Sequence, residues 1–469
     1  MNDEGYLWQG AELAALFGLT SDTSPVNGVS IDSRSTAKGD LFIALSGDPG
    51  PKFNAGQPAP DARDGHAFIA SAIAAGASVI MRHDGKPTDV SSINVQDTLS
   101  GLWKLGAAAS QRCRGKTLAI TGSSGKTTLR AWFETALATQ GKVHASTGSL
   151  NNHWGVPLSL SRMPRDVDFG VFEVGTNHPG EIAPLSKLVS PDVALLLNVL
   201  PAHIGNFSNM KALRQEKLSI ATGITDHGVF VLPESLRSEL AQYDFLGRND
   251  LITFGDKNAD VSARIQETVA GMDMAVDVAG TIVNCQVPFS GRERAESVMA
   301  LFGVCHALGV SLTEVAEKLR ELPLPKGRGN KILVDGIIII DDSYNANPAS
   351  MQMGLRQLQG VSDGKGRKIA LLGEMLELGE LSRSAHLEVG EAAAGIDIVY
   401  TFGDGFEDVP FSGSHQHNAL VSDLDIDKFA QDLNPGDIVL VKGSNRVFWT
   451  AGFVTALQRS LAGLSRSTP

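Results

Sequence analysis

The chain reads as α/β throughout, with three α/β domains in series, and three observations carry that reading. A phosphate-binding loop joins an apolar strand run to a helix near residue 120. Compact apolar runs alternate with helical stretches on both sides of a break near residue 325. The first 95 residues hold shorter strands and a small-residue helix of their own. A length of 469 residues fits about three domains, and 42% hydrophobic residues are enough to build a core for each.

Residues 1–95 form the first expected domain. Its signals are an apolar run at 41–45 and a helix of small residues at 67–75 that stops at Gly76. Between them, 47–63 carries four prolines and no periodicity, which predicts an irregular surface loop. Residues 96–324 form the second domain, a central unit that carries the phosphate-binding loop. The runs 117–120, 169–174 and 193–199 are continuous rather than alternating, as strands buried on both faces of a parallel sheet are, and helices are expected at 129–140 and 209–221. The stretch LPLPKGRG at 322–329 breaks any element and reads as a hinge. Beyond it, residues 325–469 place runs at 331–341, 368–372, 396–402 and 438–441 in a second, Rossmann-like doubly wound sheet.

Charge and cysteine usage exclude several functions. A net charge of −12 argues against a polyanion as the main partner, so no nucleic acid is expected, although a local basic pocket for phosphates is compatible with an acidic whole. Cys113, Cys285 and Cys305 have neither disulfide nor zinc spacing and suit free thiols in a reducing compartment. The start MNDE lacks a basic then apolar leader, and no run approaches eighteen apolar residues. These features predict a cytoplasmic protein with no membrane insertion, and a monomer is the expected assembly.

The loop TGSSGKTT at 121–128 carries the most chemistry. Gly122, Ser123, Ser124 and Gly125 let backbone N–H groups approach phosphate oxygens, Lys126 reaches the terminal phosphates, and Thr127 can ligate Mg²⁺, with Thr128 opening the helix whose dipole favours an anion. The spacing departs from GxxxxGK[ST], because Ile120 stands at the first glycine position. Ligands of doubly wound sheets gather at strand carboxyl ends. Glu173, ending the run FGVFE, is therefore a candidate Mg²⁺ ligand, and His203, after NVLP, is a candidate metal or phosphate contact. Taken alone, Glu173 could be a solvated strand-end acid and His203 an ordinary loop histidine. On composition alone Lys217 is a solvated helix lysine.

These motifs occur together with LNNHWGVPLSL, FEVGTNHPGEI, NVLPAHIGNF, QEK around Lys217, DDSYNANP at 341–348, LLGEMLELG at 371–379 and VKGS at 441–444. In that order, from about Asp32 to Ser444, they resemble the Mur ligases, and DDSYNANP with LGEMLELG favours the member that adds a dipeptide over those that add single amino acids. The resemblance implies an ATP-dependent carbon–nitrogen ligase of peptidoglycan precursor synthesis, joining D-Ala-D-Ala to a UDP-N-acetylmuramoyl tripeptide through an acyl phosphate. It implies Mg²⁺ held by Thr127, Glu173 and His203, and a carbamylated Lys217 holding a second ion. An unmodified ammonium about 4 Å from a divalent ion would be repelled by about 8 kcal/mol at an effective dielectric of about 20. By the same resemblance Arg328 reaches the γ-phosphate and Asp342, with Asn345, meets the nucleotide from the third domain. Ser33, Arg34, Asp64 and His66, together with Asn151 and Asn152, bind the nucleotide-linked substrate, in a nucleotide-sugar domain for the first four.

Two departures stand out. Where these ligases read like GxHNxxN, with asparagines that help seat adenine, this chain has Gly291-Arg292-Glu293-Arg294-Ala295-Glu296-Ser297. The long side chains are expected to point outward and leave the base to stacking and backbone contacts. The 47–63 loop is also longer than the family's connection. Rival readings are a Mur-type ligase with another amine or acceptor, and a catalytically silent paralogue that binds the precursor.

Overall fold

A computed structural model describes residues 5–46, 64–148, 150–201, 204–242, 250–268, 271–289, 291–324, 326–360 and 366–464. The 47–63 loop and His203 lie outside these residues. The described residues form three sheets, each flanked by helices, consistent with three α/β domains.

The first sheet is wholly parallel and runs in chain order: β1 (Gly28–Ser30), β2 (Asp40–Ile43), β3 (Val79–Arg82) and β4 (Ser91–Asn94). The expected helix at 67–75 is a 3-10 turn, Gly65–Phe68, followed by a helix at Ile69–Ala74.

The central sheet has nine strands. β5 (Lys116–Thr121), β6 (Val143–Ala145), β7 (Phe169–Glu173), β8 (Val193–Leu196), β9 (Val229–Pro233) and β10 (Asp250–Gly255) are mutually parallel, with β5 between β8 and β7. The alternation of strand and helix expected across 96–324 stops there. β11 (Val261–Thr268), β12 (Gly271–Val278) and β13 (Thr281–Val287) are consecutive strands, with β12 antiparallel to both neighbours. Their period of two, exposed residues alternating with buried ones along β13, marks an edge with one wet face, unlike β7, buried throughout, and β5, buried beyond Lys116. Side chains of β5 divide the core: Leu118 and Ile120 pack under helix Lys126–Leu137 and the helix Arg292–Leu308, while Ala119 packs on the opposite side.

The third sheet is ordered β14 (Asn330–Val334), β15 (Ile337–Asp342), β19 (Ile438–Lys442), β16 (Lys368–Gly373), β17 (Ile398–Phe402) and β18 (Ser414–Asn418). The single strand expected at 331–341 is a hairpin. Asp335 and Gly336 both take positive φ, 49° and 79°, the requirement of a tight two-residue turn, and β14 is antiparallel to β15. Among the described residues no helix is long and apolar enough to cross a membrane.

Candidate active site

The phosphate loop leaves the end of β5 and enters its helix at Lys126, three residues before the expected start, because Gly125 takes φ 82° and turns the chain. A Cβ on Gly125 would also lie 2.9 Å from the tip of the Leu197 side chain, which would have to shift. Asn198 holds the loop in shape: its Oδ1 accepts from the N–H groups of Ser123 (2.9 Å) and Ser124 (3.0 Å), and its Nδ2 donates to the Ser124 carbonyl. The Ser123 hydroxyl donates to the Leu200 carbonyl and accepts from the Leu200 N–H. The chain leaving β8 thus splints the loop.

β7 lies beside β5 with Glu173 opposite Ile120, which brings the carboxylate to the level where the loop begins. Glu173 is buried, and both oxygens are engaged: the Thr127 hydroxyl donates at 2.9 Å and Asn151 Nδ2 at 2.7 Å. A solvated strand-end acid is therefore ruled out. Asn152 plays another part, accepting from the N–H groups of Trp154 and Gly155 at the start of helix Gly155–Ser161, which makes it a structural cap rather than a wall of the cleft.

Lys217 is the largest departure from the reading of composition alone. It is 2% exposed, at the end of helix Met210–Leu218, which Asn209 caps, with a 3-10 turn over Ser219–Gly223 replacing the last expected turn. Neighbouring Glu216 fixes that helix by accepting from the N–H groups of Gly180 (2.7 Å) and Ile182 (2.8 Å). Lys217 Nζ donates to the Gly122 carbonyl at 3.2 Å, and Lys126 Nζ donates to the same carbonyl at 2.8 Å. Burial lowers the Lys217 pKa to about 7, and the Lys126 charge adds to the effect. Burial lowers that of Lys126 too, opposed by Glu173 and assisted by Arg328.

The loop opens into a cavity of about 700 Å³ between the second and third domains. Ser123, Ser124, Gly125, Lys126, Thr127 and Thr128 line it from one side with Asn151 and Glu173, and Arg328, Asp342 and Asn345 line it from the other. Arg328 stacks on Tyr344 with its guanidinium 4.2 Å from the ring centre. Lys442, buried at the end of β19, donates to Asp342 Oδ2 at 2.6 Å and so fixes that carboxylate. Arg292 points outward as expected, but Glu293, Arg294, Glu296 and Ser297 line the cavity, because the helix Arg292–Leu308, with Gly291 at its N-cap, aims its first turns at the cleft. Asn198 and Lys442 escaped the sequence reading as site residues, although the first ends an apolar run and the second lies in VKGS, and Arg294, expected to point outward, lines the cavity instead.

Ser33, Arg34, Asp64 and His66 belong to the first sheet's loops, away from this cavity. Arg34 pairs with Asp32 at 2.7 Å, and His66 Nδ1 lies 2.6 Å from Asp64 Oδ1 while its Nε2 accepts from the His83 N–H. Among the described residues no three His, Cys, Asp or Glu side chains gather as a metal cluster. Glu173 with the Thr127 hydroxyl suits instead a Mg²⁺ that takes its other ligands from phosphate and water.

The Mur ligase middle domain family matches residues 120–305, and the family described as the Mur ligase, glutamate ligase domain matches 327–445. UDP-N-acetylmuramoyl-tripeptide--D-alanyl-D-alanine ligase of Bacillus subtilis (strain 168) is 30% identical over 81% of this chain and 80% of its own length. The crystal structure I of MurF from Acinetobacter baumannii superposes with a TM-score of 0.83 at 26% identity, covering 96% of this chain and 99% of that one. MurF ligase from Thermotoga maritima in complex with ADP gives 0.77 at 26% identity, covering 93% and 98%. With a splinted phosphate loop facing a second α/β domain across one cavity, and with these similarities over nearly the whole length, the chain belongs to the Mur ligase family.

Proposed function

We propose that the chain is an ATP-dependent ligase that joins D-Ala-D-Ala to the terminal carboxylate of a UDP-N-acetylmuramoyl tripeptide, a step of peptidoglycan precursor synthesis. The observation that carries this reading is the shared cavity, in which Lys126, Thr127 and Glu173 from one domain face Arg328 and the Asp342–Lys442 pair from the next. The γ-phosphoryl group passes to the substrate carboxylate, the dipeptide amine attacks the acyl phosphate, and phosphate leaves. The protein's part is positioning and charge neutralisation.

In this reading the loop N–H groups and Lys126 hold the β- and γ-phosphates, Arg328 meets the γ-phosphate from the hinge, and Asp342 and Asn345 take the ribose side. Asn151 orients Glu173 as a ligand. Thr127, Glu173, His203 and a carbamylated Lys217 would hold Mg²⁺, which neutralises phosphate charge when bound. The Lys217 pKa of about 7 supports the modification, because a good share of the side chain is free amine near neutral pH. The ammonium first releases one proton; the free amine then attacks CO₂, an N–C bond forms as a C=O π bond opens onto oxygen, and a second proton leaves nitrogen, giving a carbamate anion. Residues 1–95, with Ser33, Arg34, Asp64 and His66, take the nucleotide-sugar end, 96–324 bind ATP, and 325–469 complete the site, in a cytoplasmic monomer.

Phosphate release with UDP-muramoyl tripeptides of different third residues, each offered D-Ala-D-Ala or single amino acids, tests the reaction. Turnover only with single amino acids would replace the dipeptide by another amine. Lys217→Ala is expected to be nearly inactive and partly restored by millimolar short carboxylates. Ordinary turnover without them would remove the carbamate.

A further inference from the structure

Arg328 reaches the cleft with only an aromatic ring to aim it. Among the described residues no hydrogen bond or ion pair engages its guanidinium, which lies 4.2 Å from the centre of the Tyr344 ring, and both residues line the cavity. A stacked guanidinium keeps its edge N–H groups free for an anion, but its direction is only as fixed as the ring beneath it.

Trp449 stands behind that ring. It follows β19 in the chain, meets Tyr344 edge to face with ring centres 5.1 Å apart, and is not among the residues that line the cavity. The indole is 38% exposed, and among the described residues it joins none of the apolar cores, so its packing serves something other than the domain interior. The same indole closes on the backbone that carries Arg328. Gly327 takes φ 71°, and a Cβ there would fall 2.8 Å and 2.9 Å from the Trp449 ring and 2.9 Å from Tyr344 Cβ, so the peptide packs against both aromatic residues at once. The Gly327 N–H donates to Asp341 Oδ2 at 3.2 Å, its carbonyl accepts from the Tyr344 N–H at 3.1 Å, and the Gly329 N–H donates to the Asp341 carbonyl at 2.7 Å. Both neighbours of Arg328 are thereby tied to the end of β15, and the arginine moves as part of the third domain.

We propose that Trp449 is a positioning residue for the reaction: by backing Tyr344 and Gly327 it sets the direction in which the third domain presents Arg328 to the γ-phosphate. This rests on the ATP-dependent reading above, in which Arg328 meets that phosphate. Without the indole the Tyr344 ring gains freedom, and the guanidinium has to be ordered at the moment the phosphate arrives. That cost falls only on states in which Arg328 is engaged. A triphosphate and the phosphoryl-transfer step feel it, and a diphosphate does not.

The test uses the full-length wild type, Trp449→Ala, Trp449→Phe, Arg328→Ala and the double variant with both alanines. Calorimetry measures affinity for ADP and for the β,γ-imido analogue of ATP, and phosphate release with UDP-muramoyl tripeptide and D-Ala-D-Ala gives kcat and KM. Trp449→Ala is expected to weaken the imido analogue about tenfold and to lower kcat by at least as much, with ADP affinity unchanged. Trp449→Phe keeps an aromatic edge toward Tyr344 and should restore most of both. In the double variant the loss should be no greater than in Arg328→Ala alone. No loss in Trp449→Ala, equal weakening of ADP and the imido analogue, or losses that add in the double variant each overturn the proposal. So does wild-type affinity for the imido analogue in Arg328→Ala, a result that needs no Trp449 variant to fold. Absence of ligation by the wild type, together with the loss confined to the triphosphate analogue, would instead overturn the ligase reading and leave the role of Trp449 standing.

Discussion

The central domain meets its two neighbours in opposite ways. Toward the first domain the joint is apolar and continuous: Leu41, Ile43, Val79 and Met81 share one core with Leu102, Leu105, Val156 and Leu158. Trp8, fully buried, donates its indole N–H to the Ser161 carbonyl at 2.8 Å, Arg112 covers its ring at 3.6 Å, and Glu12 pairs with both Arg112 and Arg165. Toward the third domain the apolar contact is a small patch, with Ile204, Phe207 and Leu213 in one cluster with Met375 and Leu378, and the rest is the charged cleft. Opening the first joint would expose apolar surface at about 25 cal/mol per Å². Opening the second mostly separates groups that water can solvate. The difference teaches that the first and central domains should behave as one body, and that the third domain is the part free to adjust around the cleft.

The sharpest way to break this comparison is to disable one joint's chemistry and ask whether the other notices. Lys126→Ala is expected to lower turnover by about a thousandfold or more, since the phosphates lose their cation. Calorimetric binding of the UDP-muramoyl tripeptide should stay near wild type. A complete loss of that affinity would mean that the phosphate loop and the first domain are not separable in function.

Trp8→Ala attacks the apolar joint. It should cost about 3–5 kcal/mol in urea unfolding. The first and central domains should then lose stability together, in one transition followed by tryptophan fluorescence and far-UV circular dichroism. Separate transitions with the central domain unchanged would show that the shared core is not a shared folding unit.

Lys217 sharpens the comparison through pH. In CO₂-free buffer its folded pKa is about 7, against about 10.4 for an exposed lysine. The unfolded chain thus holds the proton over a range where the folded chain has released it. The penalty for burying the ammonium is full below pH 7 and fades as pH rises toward the unfolded value, so this residue makes stability increase with pH in that window. Lys217→Met should flatten that part of the profile, and an unchanged slope would assign it to other groups.

The smallest effect belongs to the movable side. Lys442→Ala releases Asp342 from its partner and is expected to raise the KM for ATP about tenfold while kcat changes less, because a nucleotide contact loses its orientation before the phosphates do. A fall in kcat with KM unchanged would place the pair in the chemical step.

Much of the fold was legible because its signals are local. Continuous apolar runs marked β5, β7, β16 and β19, and glycines with a following lysine marked the phosphate loop. The hairpin β14–β15 was missed because Asp335-Gly336 interrupts a run whose apolar residues continue on both sides. The antiparallel edge β11–β13 was missed because its alternating exposed residues dilute the apolar signal.

The sequence by itself determined the three-domain α/β order, the phosphate loop, and the candidacy of Glu173, whose place at a strand end follows from β geometry alone. Only the tertiary structure decided what surrounds each group. Lys217 has the composition of a surface helix, yet Asn209 and Glu216 anchor that helix so that the lysine is buried against the Gly122 carbonyl. Arg294 has the composition of an exposed helix start, yet Gly329, thirty-five residues later in the chain, leaves the space that turns it into the cleft. Burial and charge partnership arise between segments distant in sequence, and no local pattern encodes which segments meet.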